Sequence, residues 1–399
     1  MVPGQRSARQ CALIVVALLA AACQAAPVAT PTAVADVPSA APSSEPTAAP
    51  SAAPSSEPTA APSMRPVPAG TIAFMRSTAD GVEHYFTIKS DGSDEREIFK
   101  AEGCSCVHWM ADGSRLMSLG ESGKDVWSLM TIRPDGSDRV VIPTPIKTLS
   151  LAVGATSSDG RWIAFNGWDN DVPSNAGLYL ARPDLTNLRQ VVPLQKGMNA
   201  MEPFGVTPDG SKIVFFVDTG SQGETTHSGD VYVVNSDGSS LRRLNPVPAT
   251  TGYIGPPVIS LSPDGHMAAF DVGEQVFVAD LETGKARPIT DRTGFAWAVA
   301  WSPTGDWITY TRNHGGINVI SLVRPDGTDA REISSTKESD EAANGVWSPD
   351  GTTLLVQRDE GGRDDVRNLW IMDLEGTYLG QVTHLPSAYA LYSWAPTAH

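Results

Sequence analysis

One turn signature, repeated along the chain, constrains the fold more than any other feature. It reads as a small or aromatic residue, then Ser/Thr-Pro-Asp-Gly or a close variant, then a short apolar strand. The copies are Trp109-Met-Ala-Asp-Gly113, Ser157-Ser-Asp-Gly160, Thr207-Pro-Asp-Gly210, Ser262-Pro-Asp-Gly265, Trp301-Ser-Pro-Thr-Gly305 and Trp347-Ser-Pro-Asp-Gly351. Their glycines lie 47, 50, 55, 40 and 46 residues apart, a period that belongs to repeated β-units rather than to separate domains. Pro presets the first corner of such a turn, Asp bonds its own backbone, and Gly takes the positive φ that ends it. Strands follow, such as Trp162-Ile-Ala-Phe165 and Lys212-Ile-Val-Phe-Phe216. A second strand then closes on another turn, as in Val231-Tyr-Val-Val-Asn-Ser-Asp-Gly238, and a short polar-apolar strand completes the unit, as in Arg331-Glu-Ile-Ser334. Each unit therefore has four strands.

The two ends are incomplete in complementary ways. Residues 71 to 99 supply three strands without the strand and turn that should precede them, whereas Tyr392-Ser-Trp-Ala-Pro396 supplies one strand and the start of a turn. A ring satisfies both, because the C-terminal strand then completes the first unit and no edge is left open at the junction. The expectation is an all-β, seven-bladed β-propeller over residues 68–399, closed by the C-terminal strand joining the first blade.

With those residues in view the chain resembles the TolB-type, WD40-like propeller repeats called PD40, and more distantly the propellers of prolyl-oligopeptidase-like enzymes. The resemblance covers about 70 to 399 and rests on the repeated Trp-Ser-Pro-Asp-Gly turns. Thr304 stands where the pattern has Asp, and Pro183-Asp-Leu185 lacks the glycine of the second turn. TolB itself has six blades where seven are expected here. The resemblance implies that ligands meet the face opposite the Pro-Asp-Gly turns, and it brings in a TolB-like envelope assembly factor as one functional possibility.

Residues 1–22 carry Arg6 and Arg9, then an apolar run from Cys11 to Ala22. Its 12 residues are too few to span a bilayer, which takes about 20 in a helix, but suit the core of a signal peptide. Cys23 follows Leu18-Leu-Ala-Ala-Ala22, which resembles the bacterial lipoprotein signal and makes Cys23 the expected lipidation site. An ordinary secretory signal with an incidental cysteine is the other reading. Acyl chains contribute about 0.8 kcal/mol per buried methylene and hold a protein on a membrane without a spanning helix. From Cys23 to residue 67 the chain is almost wholly Ala, Pro, Ser and Thr, a composition that cannot bury a core and reads as a disordered, extended stalk.

The net charge of -16 belongs entirely to residues 68–399, because the preceding basic and acidic residues cancel. An acidic domain without a basic stripe argues against nucleic acid as a partner, and plain solubility explains the charge as well. Contact with membrane is expected through the lipid anchor only, and the domain is expected to be a monomer.

Strand polarity assigns long polar loops to the face opposite the Pro-Asp-Gly turns. Candidate ligand-face residues are Trp168, Glu202, His227, Tyr253, Arg292, Trp297, Arg312, His314, Arg358 and Tyr389, which would combine aromatic walls with charges. His384 is expected on the same face. Cys104, Cys106 and His108 alternate along an expected inner strand and are weak metal candidates; buried fillers or a local disulfide account for the cysteines equally. No Gly-x-Ser-x-Gly elbow occurs, and Gly120-Glu-Ser-Gly-Lys124 lacks the first glycine and the following hydroxyl of a phosphate loop. No catalytic residue and no cofactor are expected. The reading is a lipid-anchored envelope propeller that binds a protein, peptide or glycan. A propeller-face enzyme such as a polysaccharide lyase, using His314, Arg312, Glu202 and His227, is the alternative.

Overall fold

The computed structural model describes residues 67–77, 82–100, 107–123, 126–146, 148–150, 156–168, 172–198, 200–219, 229–244, 258–272, 274–337, 341–359, 367–385 and 389–396. They form seven four-stranded antiparallel sheets. Blade 1 joins β1 (Thr71–Ser77), β2 (Glu83–Lys89) and β3 (Arg96–Lys100) to the C-terminal strand β28 (Tyr389–Trp394). Blade 2 holds β4 (His108–Trp109), β5 (Leu116–Gly123), β6 (Val126–Ile132) and β7 (Val140–Ile142). Blade 3 holds β8 (Thr148–Ser150), β9 (Ile163–Trp168), β10 (Gly177–Ala181) and β11 (Arg189–Pro193). Blade 4 runs β12 (Ala200–Val206), β13 (Lys212–Asp218), β14 (Gly229–Asn235), β15 (Arg242–Arg243), and blade 5 runs β16 (Ile259–Leu261), β17 (Met267–Val272), β18 (Gln275–Asp280), β19 (Ala286–Pro288). Blade 6 runs β20 (Phe295–Trp301), β21 (Ile308–His314), β22 (Ile317–Val323), β23 (Arg331–Glu332), and blade 7 runs β24 (Ala342–Trp347), β25 (Thr353–Asp359), β26 (Arg367–Asp373), β27 (Tyr378–Gln381).

The expected closure is present. β28 pairs antiparallel with β1, with Trp394 opposite Ile72 and Tyr389 opposite Arg76. The strand seals the ring because its aromatics are buried where blade 7 meets blade 1, among Ile72, Phe74, Leu355, Leu369 and Val382. Tyr392 donates its hydroxyl to the Asn344 carbonyl of blade 7 at 2.6 Å. Val67, on the lead-in to β1, packs on the same cluster and lies against Gly380 of β27.

The signature turns work through the residue that precedes Pro. Thr207 donates its hydroxyl to Asp209 at 2.7 Å and accepts the Lys212 N–H at 3.0 Å. Ser262 does the same with Asp264 at 2.6 Å and Met267 at 2.9 Å. One hydroxyl thus ties the carboxylate to the first residue of the next strand. In blade 6 Thr304 takes the place of Asp, and Ser302 contacts its hydroxyl at 3.2 Å while still capturing the Trp307 N–H at 3.0 Å, so the substitution leaves the turn intact. These bonds hold the Asp209 and Asp264 carboxyls below the usual carboxylate range. A carboxyl that is more acidic when folded stabilises the fold above its unfolded value of about 3.9, and loses that contribution as pH falls through the folded value. The thermal midpoint is therefore expected to fall below about pH 4. Ser262→Ala should flatten that fall, and an unchanged acid limb in this variant would contradict the role given to the turn.

Second turns weld the blades to one another. In blades 1, 2, 3, 4 and 6 the turn carries an Asp whose carboxylate accepts both the N–H and the hydroxyl two residues on, as Asp237 does from Ser239 at 2.9 and 2.6 Å, whereas Asp280 of blade 5 and Asp373 of blade 7 accept from residues two to four positions on. In six of the seven turns the glycine that follows is left-handed, and its bare Cα backs onto the outer strand of the preceding blade or the residue next to it. A Cβ on Gly238 would stand 2.8 Å from the Val191 carbonyl oxygen, and one on Gly376 would stand 1.9 Å from that of Ile333. Outer-strand arginines reinforce the contact. Arg189 donates to the Ser236 carbonyl at 2.9 Å, and Arg287 to those of Pro325 and Asp326 at 2.7 and 3.1 Å. Among the described residues no helix is long and apolar enough to cross a membrane.

Candidate functional site

The best-defined part of the loop face is the connection from blade 5 to blade 6, residues 289 to 294, together with the start of β20. Gly294 is left-handed at φ +86, and a Cβ there would stand 2.1 Å from the Asn313 carbonyl. The chain therefore turns tightly into β20 and sets Phe295 at its first position. Phe295 is 49% exposed, whereas Ala296 is fully buried between blades 5 and 6. Alternation along the strand returns Trp297 to the side of Phe295, where it is half-buried. Beyond Trp297 the strand bulges, with Ala298 left-handed at φ +54, a local break of the kind found where a strand re-aims a side chain.

Arg312 of β21 anchors this connection from below. It forms an ion pair with Asp291 at 2.9 Å, donates to Thr293 at 2.7 Å and to the Tyr310 hydroxyl at 3.2 Å, and is itself buried. Thr293 in turn donates to Asp291 at 2.7 Å. That hydroxyl, and then the Arg312 charge, hold the Asp291 carboxyl below its usual range, while burial pushes the Tyr310 phenol up. Charge is thus neutralised inside the connection. Arg292 lies outside that network, is exposed, and donates to Gln275 at 3.0 Å. The surface so built offers one exposed phenyl, one half-covered indole and one guanidinium, a combination suited to stacking and hydrogen bonding.

Glu202 lies half-buried on β12, opposite Phe216, on the inner strand of blade 4. His314 ends β21 and meets Glu332 of β23 at 2.5 Å, so it is directed along its own blade toward the outer strand. Arg358 does likewise, lying 4.0 Å over Tyr378 and 4.7 Å over Trp370. Tyr389 departs from its expected place as a ligand wall. It is 1% exposed, packs edge-on against Phe74 at 5.4 Å, and donates its hydroxyl to the Leu385 carbonyl, because its side of β28 faces the seam with blade 7. His384 also differs from its expected place, lying against Gly92 in the second turn of blade 1. His108 is buried on β4 opposite Met117. Trp168 ends β9 opposite Thr148. Cys23, Cys104, Cys106, His227 and Tyr253 lie outside the described residues. Among the described residues no three His, Cys, Asp or Glu side chains are placed to hold a metal.

Sequence reasoning overlooked Phe295, Asp291 and Arg76. Arg76 was within reach, because Arg76, Arg312 and Arg358 each follow the first buried apolar residue of the second strand by four positions, after Ile72, Ile308 and Leu354. All three lie over an aromatic ring of their own blade, Arg76 at 4.2 Å over Phe86 and Arg312 at 5.4 Å over Tyr310. Three adjacent blades, 6, 7 and 1, therefore share this stacked arginine.

The family model described as TolB beta propeller domain matches residues 118–398. Among solved structures, an oligogalacturonate lyase in complex with manganese is 13% identical, with 72% of this chain and 82% of that one covered at a TM-score of 0.53. A puromycin hydrolase is 14% identical at a TM-score of 0.53, covering 82% of this chain and 55% of that one. TolB from Acinetobacter baumannii is 15% identical, with 82% and 83% covered at a TM-score of 0.47. At these identities the likeness is one of fold.

Proposed function

The chain belongs to the TolB β-propeller family, and from that premise we propose that it is an exported, lipid-anchored cell-envelope protein. In this reading the propeller binds a protein, peptide or glycan through its loop face. The observation that carries the reading is the surface at the head of β20, where exposed Phe295 and half-buried Trp297 follow exposed Arg292 along a connection fixed by the Arg312–Asp291 pair. A rigid aromatic anchor with an adjacent guanidinium is the kind of group that dominates binding energy at interfaces. The N-terminal sequence supports export, with Cys23 as the lipidated residue and residues 24–67 as the stalk.

Exposed Phe295 can be truncated with little effect on folding, so Phe295→Ala separates binding from stability. In intact cells, chemical crosslinking with mass spectrometry should capture an envelope partner with the native chain. Capture should fall about tenfold with Phe295→Ala, the loss expected when an anchor worth about 1.4 kcal/mol is removed. Cys23→Ser should release the protein and remove partners that require anchoring. Equal capture by native chain and Phe295→Ala would overturn the site.

An enzymatic reading would draw on His314, Arg312, Glu202 and His227. Arg312 and His314 direct their polar atoms at Asp291 and Glu332 instead, and no described geometry joins them. A TolB-like role in envelope assembly is compatible with the binding reading and rests on family analogy.

A further inference from the structure

Outer strands are the exposed edges of a propeller, and an unprotected edge is a template for another strand. Five of the seven here carry charge: β3 has Arg96, Glu97 and Lys100, β11 has Arg189, β15 is Arg242-Arg243, β19 has Arg287 beside Pro288, and β23 is Arg331-Glu332. β27 has none, and there Val67 of the chain's own lead-in lies against Gly380. β7 has none either. It reads Val140-Val141-Ile142, pairs with β6 alone among the described residues, and leaves Val140 and Val141 exposed at 43% and 45%.

The neighbouring blade treats β7 differently as well. At the other junctions a second-turn glycine backs onto the preceding blade, with its missing Cβ pointing at a carbonyl or, at Gly284, at Arg242. At the junction of blades 2 and 3 that position is Leu185, held left-handed at φ +62. Its side chain packs instead, as Ile142 of β7 also does, against the buried cluster between blades 2 and 3 that holds Met117, Leu129 and Tyr179. A left-handed leucine costs about 1–2 kcal/mol relative to glycine, and it broadens the apolar surface beside β7. At the end of the strand Arg139 is exposed and makes no hydrogen bond or ion pair among the described residues, since Asp138 pairs with Arg115 and Arg133.

We infer that β7 is a second binding edge, which takes an extended peptide strand of another protein by β-addition. The occupant is apolar at alternate positions, to cover Val140 or Val141, and carries a carboxylate at the end that meets Arg139. Main-chain hydrogen bonds supply affinity in this mode and alternate side chains supply selectivity. A second copy of this chain fits less well. A three-residue edge falls far short of the roughly 1,200 Å² that a stable interface buries, and two domains of this net charge repel each other.

The test is selection of a random twelve-residue peptide library against the full chain. Recovered peptides should alternate Val, Ile or Thr with polar residues and carry Asp or Glu at one end. They should bind Val141→Lys at least tenfold more weakly than the native chain, bind Phe295→Ala unchanged, and slow amide exchange at Val140–Ile142. Arg139→Glu should shift the preference toward peptides with Lys in place of the acid. Peptides that bind Val141→Lys as tightly as the native chain, or a selection that recovers none, would overturn the inference. Val141 is half exposed, so a retained thermal midpoint verifies that the variant is folded.

Discussion

Gly376→Ala is expected to destabilise the propeller by about 2–5 kcal/mol, whereas Gly315→Ala should cost about 1–2 kcal/mol. Both glycines are left-handed, at φ +86 and +61, so an alanine at either incurs conformational strain of about 1–2 kcal/mol. Only Gly376 has a neighbour in the way: its Cβ would stand 1.9 Å from the Ile333 carbonyl, while a Cβ on Gly315 meets nothing within 4 Å. Relieving the contact requires the second turn of blade 7 to withdraw from the outer strand of blade 6, an overpacking cost of about 1–3 kcal/mol more. Denaturant unfolding of the two variants separates these contributions. Equal losses would mean that the turns do not weld one blade to the next.

A chain ending at Ser387, and so lacking β28, is expected to lose cooperative folding altogether. Tyr389, Tyr392 and Trp394 are all buried in the seam, and removing a buried aromatic costs about 3–5 kcal/mol. Three such losses reach the whole stability of an ordinary domain, about 5–15 kcal/mol. β1 would also become an open edge flanked by exposed Ile72 and Phe74, and aggregation should follow. Tyr392→Phe keeps the ring and removes one buried hydrogen bond to Asn344, so it should cost only about 1–2 kcal/mol. Calorimetry that found a normal cooperative transition in the truncated chain would show that β28 is not what closes the ring.

The architecture was legible because its information is local. The spacing of the Pro-Asp-Gly turns sets the blade count, and Tyr392 to Pro396 supplies the strand that the start of the domain lacks. The site was less legible because it depends on where side chains lie across strands. Arg292, Trp297 and Arg312 could be placed together from strand polarity, since one short connection and two paired strands carry them. Tyr389 could not, because the buried side of β28 is fixed by pairing with a strand more than 300 residues earlier. Arg358 stacks on Tyr378 from an outer strand, a contact that no spacing announces. Phe295 went unnoticed because an aromatic at the start of an apolar strand looks like core. Only the tight turn at Gly294 and the burial of Ala296 turn it outward.

The loop face is tested most directly by placing one photocrosslinking residue at position 295 and, in a separate variant, at position 352 on the opposite turn face. Both positions are exposed, so neither substitution disturbs the core. Irradiation of intact cells should give a discrete adduct from position 295 and none from position 352. An adduct from position 352 with none from position 295 would place the working surface on the other side of the ring and contradict the account.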